Sequence, residues 1–362
     1  MQAEPVRRER GGRLVVIVAL LLVAGTIGQA GQSQSLIADV RQAIAQRDFA
    51  RGEKIVDAYR SSHGVTPEML EALSWLGRGA LAAKQWDTAE GYAEQTYDLA
   101  LSALKGRSVD QERHLPIALG AAIEVLGHVR AQRGARSEAV HILNQELNRY
   151  KDTSLAKRIQ KNIHLLSLEG KRAPPIEISD YLGSTQPPAL DTLKGKVVIL
   201  FFWAHWCGDC KVQGPVLARL LAKYRQHGVT VFAPTQQYGY VAGGRPASAD
   251  EERRYIHQVQ ETHYSFLNGQ SVPLSAANHQ RYGVSTTPTL VLVDREGIVR
   301  VYHPGRMTEE ELESVVRRLA GIDATSSELP PIRVIREDDL GSRASTGERG
   351  ITPRGSINRA SP

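Results

Sequence analysis

The chain has 362 residues, room for about two domains at roughly 100–200 residues each. At 41% hydrophobic and 23% charged residues it has the composition of globular protein, which argues against wholesale disorder and against many membrane spans. The net charge of +6 does not point to nucleic acid, because no long block of like charges and no interleaving of basic with aromatic residues occurs.

Residues 1–13 carry four arginines, Arg7, Arg8, Arg10 and Arg13, ahead of an apolar run from Leu14 to Ile27 and then Gly28-Gln29-Ala30. Basic, apolar and small-residue segments in that order make a secretory signal. As a helix the 14-residue run covers roughly 21 Å, short of a ~30 Å hydrocarbon core, and extension to Ala30 gives 17 residues. Two readings of residues 1–31 stay open: a signal peptide cleaved near Ala30, or an uncleaved inner-membrane anchor over residues 14–30. Both export the remainder to the periplasm or another extracytoplasmic space, and arginines ahead of the apolar run agree with that orientation.

From Gln34 to about Glu169 apolar residues recur at three and four, the helical period. A degenerate repeat runs through this stretch. Ala38, Gly77 and Leu126-Gly127 are each followed, twelve positions on, by Ala50, Ala89 and Ala139. Small residues at both places let paired helices approach closely. The pattern resembles the tetratricopeptide repeat, with steps of 39 and 50 residues in place of 34. A plain Ala-rich bundle is the competing reading. A last helix near Leu155–Leu168 is expected to cap the stack. Residues 32–170 are therefore read as a helical scaffold without catalytic residues, available for a protein partner.

After Lys171-Arg172-Ala173-Pro174-Pro175 the period changes. Lys196–Trp203 is a continuous apolar run, suited to a strand buried on both faces. A helix over Val216–Gln226 follows, with Pro215 marking either a kink in a longer helix or a fresh start. Val229–Ala233 reads as a strand, and Asp250–Thr262 as a polar helix entered through Ser248. Thr289–Val293 and Ile298–Tyr302 read as strands joined by a tight turn at Asp294–Gly297. Thr308–Ala320 closes as a helix with a capping box between Thr308 and Glu311. The order makes residues 173–322 an α/β domain after an all-α one. Residues 323–362 hold six acidic and six basic residues with few apolar anchors, and are expected to be a disordered tail.

The chain has two cysteines, Cys207 and Cys210, in Trp206-Cys207-Gly208-Asp209-Cys210. A disulfide scaffold and a complete cysteine zinc site both need more, so no metal and no cofactor is expected. The pair follows a buried strand and opens a helix. A helix N-terminus favours thiolate at Cys207, which makes it the attacking sulfur, and Cys210 one turn on resolves the mixed disulfide. Gly208 lets a partner chain approach. Thr286-Thr287-Pro288-Thr289, directly before a strand, suits a cis peptide in a tight turn, with the Thr287 backbone free to pair with an extended chain. Cys207, Cys210 and Pro288 are the candidate catalytic residues; Trp206, Gly208 and Thr287 the candidate substrate-binding ones. For Trp206, shielding of the sulfurs competes with substrate contact.

Residues 173–322 resemble the thioredoxin superfamily, and within it the TlpA-like extracytoplasmic thiol–disulfide oxidoreductases. The resemblance rests on Leu193-Lys194-Gly195-Lys196, on Phe202-Trp203-Ala204 and Trp206-Cys207 with Cys210, on Pro215, on Tyr282-Gly283-Val284 leading into Thr287-Pro288-Thr289, and on Asp294 with Gly297. It implies a central mixed sheet flanked by helices, Cys207 as nucleophile, Cys210 as resolver, Pro288 in cis, protein disulfides as substrates and a membrane thiol–disulfide transporter as electron donor. Two carboxylates common in the family are absent: Phe201 and Gln213 stand in their places. Asp209, His205 and Gln213 are the candidate tuning residues, although His205 reads first as a solvent-facing loop residue. Tyr238 and Tyr240, in a Gly-rich loop after a strand, read first as loop packing, with a contact at the rim of the site as the alternative. Other functions stay open: a helical-repeat envelope adaptor with a thioredoxin-fold binding module, or a thiol peroxidase-like enzyme.

Overall fold

The computed structural model describes residues 35–322; the signal or anchor expected over residues 1–31 and the tail expected over 323–362 lie outside the described residues. Seven helices come first: α1 (Leu36–Ala45), α2 (Phe49–His63), α3 (Pro67–Ala82), α4 (Trp86–Leu104), α5 (Leu115–Gln132), α6 (Arg136–Tyr150) and α7 (Leu155–Ser167). Their starts are written in the sequence. Ser35, Asp48 and Thr66 accept N–H groups of the first turns of α1, α2 and α3, which satisfies donors that have no partner inside the helix.

Small residues bring α3 against α4 and α5 against α6. A Cβ on Gly77 would lie 3.4 Å from Tyr92 Cβ and 3.7 Å from the Ala89 carbonyl oxygen, and one on Gly127 would lie 3.1 Å from Leu143. Ala89 and Ala139 are fully buried. The first repeat is out of register with the sequence reading, because Ala38 and Ala50 are exposed. Gly52 takes the close-packed place instead, where a Cβ would meet Ala43 and Leu76. Small residues are common at exposed helix positions too, so a match on residue type alone could not fix the register.

The second half contains β1 (Tyr181–Leu182), β2 (Val197–Phe202), α8 (Gly208–Tyr224), β3 (Val229–Phe232), α9 (Ala249–His263), β4 (Val272–Pro273), α10 (Ala276–Arg281), β5 (Thr289–Val293), β6 (Val299–Pro304) and α11 (Glu309–Leu319). The main sheet has the order β3-β2-β5-β6, with β2 parallel to β3 and antiparallel to β5; β1 and β4 form a separate two-stranded pair. This is a mixed thioredoxin-like sheet with helices on both faces, preceded by an all-helical region. Pro215 lies inside α8, so the helix is one long element that carries the proline. Α turn hydrogen-bonded by Asp294 joins β5 to β6: its Oδ1 accepts from Glu296 N and Ile298 N.

Alternation along β2 sends Val197, Ile199 and Phe201 to one face and Val198, Leu200 and Phe202 to the other. The first face packs with Leu217, Leu220 and Leu221 of α8 and with Leu312, Val315 and Val316 of α11. The second face packs with Tyr282 and Val284, and also with Leu165 of α7 and Leu168 just beyond it. The helix expected to cap the stack is thus wedged between the stack and the sheet. A buried leucine contributes about 1.5–3 kcal/mol, so Leu168 is a firm tie between the halves.

Polar contacts follow the same line. His164 Nε2 lies 2.9 Å from the Arg281 carbonyl oxygen, and Tyr302 N donates to Glu169. The connecting residues pair with the hairpin: Gly170 N donates to Val299 O, Val299 N to Lys171 O, and Ala173 N to Gly297 O. Gly283, at φ +61, sits on the α7 backbone; a Cβ there would lie under 3 Å from main-chain atoms of Gln160 and Lys161.

Candidate redox site

The register of the main sheet assembles the site. Phe202 pairs with Thr289 and Phe201 with Leu290, so the residues after β2 meet those before β5. Cys207 caps α8: its Sγ accepts the Cys210 N–H at 3.0 Å. Its Sγ also lies 3.4 Å from the Thr287 carbonyl oxygen, and the Thr287–Pro288 peptide is cis. Cys207 and Cys210 are joined in a disulfide, with Cys207 nearly buried and Cys210 fully so. The Pro288 carbonyl is held by Gly305 N at 2.8 Å, which ties this turn to the end of β6.

Around the sulfurs the surface is partly apolar. Trp206 is 39% exposed and Val212 54% exposed. Gly208 has open space where a Cβ would point. Asp209 pairs with Arg306 at 3.4 Å, both half-exposed, so its charge is partly answered within the chain. Gln213 is buried; its Oε1 accepts the Met307 N–H at 2.9 Å and its Nε2 has no hydrogen-bond partner. Phe201 lies in the core, edge-on to Tyr264. Neither position offers a carboxylate to Cys210.

His205 corrects the sequence reading. It is fully buried and its Nε2 lies 3.0 Å from Glu252 Oε1 on α9. The rings of Tyr238, Tyr240 and Tyr255 surround it edge-on at 5.3–5.5 Å. Burial pushes its pKa down against the pull of Glu252, so the ring is neutral at neutral pH. Of the two readings of the tyrosine loop, the contact at the rim is the one observed: Tyr238 and Tyr240 belong to the site's wall. Nothing in the sequence sets Glu252 apart, because it sits in Asp250-Glu251-Glu252, a run of acids in a helix first turn that reads as solvated.

A cysteine pair at a helix N-terminus beside a Thr-Pro turn has the geometry suited to thiol–disulfide exchange. The sequence profile of the thioredoxin-like domain matches residues 192–320. The thiol–disulfide oxidoreductase ResA of Geobacillus thermodenitrificans is 30% identical over 144 residues, which cover 40% of this chain and 74% of that protein. The chain belongs to the ResA-like thiol–disulfide oxidoreductases. ResA of Bacillus anthracis is 29% identical over 158 residues, covering 41% of this chain and 78% of that one. A Chlorobium tepidum structure assigned as thiol:disulfide interchange protein DsbE is 28% identical, covering 42% of this chain and 98% of that one, with a TM-score of 0.34. The match to the thioredoxin-like domain starts after α7, so the seven helices lie outside it.

Among the described residues no helix is long and apolar enough to cross a membrane, and no group of three or more His, Cys, Asp or Glu residues is placed to hold a metal ion.

Proposed function

We propose that the protein is an extracytoplasmic reductase of protein disulfides. Its proposed parts are a signal or anchor (1–31), a helical docking region (32–170), the redox domain (173–322) and a tail (323–362). The observation that carries the reading is the Cys207 sulfur, seated on the α8 N-terminus and facing the Thr287 carbonyl oxygen. The Cys210 N–H and the helix dipole favour negative charge on that sulfur once the disulfide is opened.

In the reduced enzyme the Cys207 thiolate attacks one sulfur of a client disulfide. A Cys207–client mixed disulfide forms and the other client sulfur leaves as thiolate. Cys210, losing its proton, then attacks Cys207 Sγ; the Cys207–Cys210 disulfide forms and the second client sulfur leaves. Two electrons pass to the client, and two protons end on its thiols. Thiol donors must then reduce the enzyme again, a role that the family resemblance gives to a membrane thiol–disulfide transporter. Trp206, Gly208 and the Thr287 backbone receive the client chain beside Pro288. The export reading rests on Arg7–Ala30, and the docking reading on a helical half held firmly against the redox domain.

Cys207→Ser is expected to abolish insulin reduction without trapping substrate. Cys210→Ser is expected to retain attack and to accumulate mixed disulfides, visible on non-reducing gels. Equal trapping by both variants would reverse or remove the assigned roles.

A further inference from the structure

Glu252 is a buried carboxylate that the exchange chemistry above does not use. It is 1% exposed, and its two oxygens meet three N–H groups: His205 Nε2 at 3.0 Å, Tyr238 N at 2.6 Å and Gly239 N at 2.9 Å. Taking a carboxylate out of water costs several kcal/mol unless such charge-assisted bonds replace the solvent. What those bonds hold is specific. The imidazole belongs to the residue two before Cys207, and the two amides are consecutive in the loop between β3 and α9.

The loop in turn reaches the rim of the redox site. The Tyr238 ring stands edge-on to both His205 and Trp206, at 5.5 Å in each case, and the Tyr240 ring stands edge-on to His205 at 5.4 Å. One carboxylate on α9 thus fixes the backbone that carries Tyr238, and Tyr238 flanks the indole next to Cys207. The proton of His205 is placed by the same contact. Nε2 donates to the carboxylate, so Nδ1 is the bare nitrogen, and it is buried with no partner. The groups facing His205 are Glu252, the three tyrosines and, by charge, Lys211.

We propose that Glu252 is a positioning residue of the redox centre: through His205 and the Tyr238–Tyr240 loop it holds Trp206 in a preformed wall that a protein client meets before its disulfide reaches Cys207. The inference rests on the reading of protein disulfides as substrates, and it concerns client choice more than the sulfur chemistry. A small disulfide needs the sulfur alone. A folded or extended client also needs the wall.

The test uses the full chain with Glu252→Gln and Tyr238→Leu. Glutamine keeps the shape and loses the charge, and it cannot accept all three N–H groups equally well. Two readouts are taken. The first is acrylamide quenching of Trp206, obtained by difference against Trp206→Phe in each background. The second is the ratio of the insulin reduction rate to the rate with the small disulfide 5,5′-dithiobis(2-nitrobenzoate). Loss of one charge-assisted hydrogen bond corresponds to about tenfold or more, so the ratio is expected to fall about tenfold in Glu252→Gln, with Trp206 quenched more readily. Tyr238→Leu should move both readouts in the same direction. Unchanged quenching and an unchanged ratio in folded Glu252→Gln would overturn the proposal. If Glu252→Gln does not fold, Tyr238→Leu decides by the same two readouts. If the parent chain does not reduce insulin, the reading of its substrates falls, while the quenching result still judges the positioning role.

Discussion

Each half of the described chain has a glutamate that is almost wholly buried, Glu124 and Glu252, and the two are compensated differently. In the helical half Glu124 of α5 meets Arg158 at 3.0 Å and Lys161 at 3.0 Å, both on α7, with Arg78 of α3 at 3.9 Å. In the redox half Glu252 meets an imidazole and two backbone amides. Burial opposes the charge on Glu124, but Lys161, Arg158 and Arg78 outweigh it and hold the carboxyl well below the usual range. Full cations suit a joint between helices, where only strength is required. Beside a sulfur whose thiolate fraction sets its reactivity, an added cation would shift the chemistry as well as the structure. Dipoles fix geometry with less electrostatic side effect. The ionic cluster of the helical half is also one side of a clamp on α7: ions hold it toward the helices, and Leu165, Leu168 and the Gly283 backbone hold it toward the sheet.

The hardest way to break this arrangement is to remove the ionic clamp. Glu124→Ala leaves Arg158 and Lys161 without their counter-charge. Breaking a buried pair costs about 3–5 kcal/mol, and the low end applies because both cations retain some solvent contact. At roughly 2–4 °C per kcal/mol, the melting temperature should drop by about 6–12 °C. A drop below about 2 °C would show that the ion cluster contributes little to holding α7.

Next comes the other side of the same helix. Gly283→Ala places a Cβ 2.7 Å from the Gln160 carbonyl carbon, against backbone that cannot rotate away, at a φ of +61. Overpacking of this kind costs about 1–3 kcal/mol, and the left-handed backbone adds about 1 kcal/mol. The expected sign is lower stability with faster proteolysis of the 168–175 connection. An unchanged digestion pattern and melting curve would mean that the close approach of Gly283 to α7 does not hold the halves together.

The smallest effect is conditional on pH and sharpens the contrast within the redox half. His279 is fully buried against Phe202; burial, with Lys157 adding repulsion, pushes its pKa from 6.5 down to about 3. The unfolded chain takes up this proton below pH 6.5 and the folded chain does not. Stability from the neutral ring is therefore complete above 6.5 and is lost as pH falls toward 3, at about 1.4 kcal/mol per unit. Between pH 7 and about 4.5 this group should remove roughly 2–3 kcal/mol. His279→Leu should flatten the melting temperature over that window. A variant with the parent's acid slope would place the titration elsewhere.

Much of the redox half was legible because its signals are local. The apolar run of β2 needs both faces covered wherever it lies, Ser248 and Thr308 cap helices through neighbours three residues on, and Cys207 precedes a helix start in the sequence itself. The helical period of the first half was equally plain. The two-residue strands β1 and β4 and the six-residue α10 carry too few residues for a period to show. The first repeat register failed for a related reason, since Ala38 and Ala50 look the same exposed or buried.

The sequence by itself determined the order of the longer elements of the redox half, the place of the cysteine pair at a helix start and the turn at Thr287-Pro288, because each depends on residues within a turn or a strand of one another. Tertiary structure alone decided that α7 covers a sheet face, that Gly283 rests on its backbone, and that His205 is buried against Glu252. Those contacts join residues from about 30 to over 100 positions apart, and a polar side chain is buried or solvated according to what such distant partners supply.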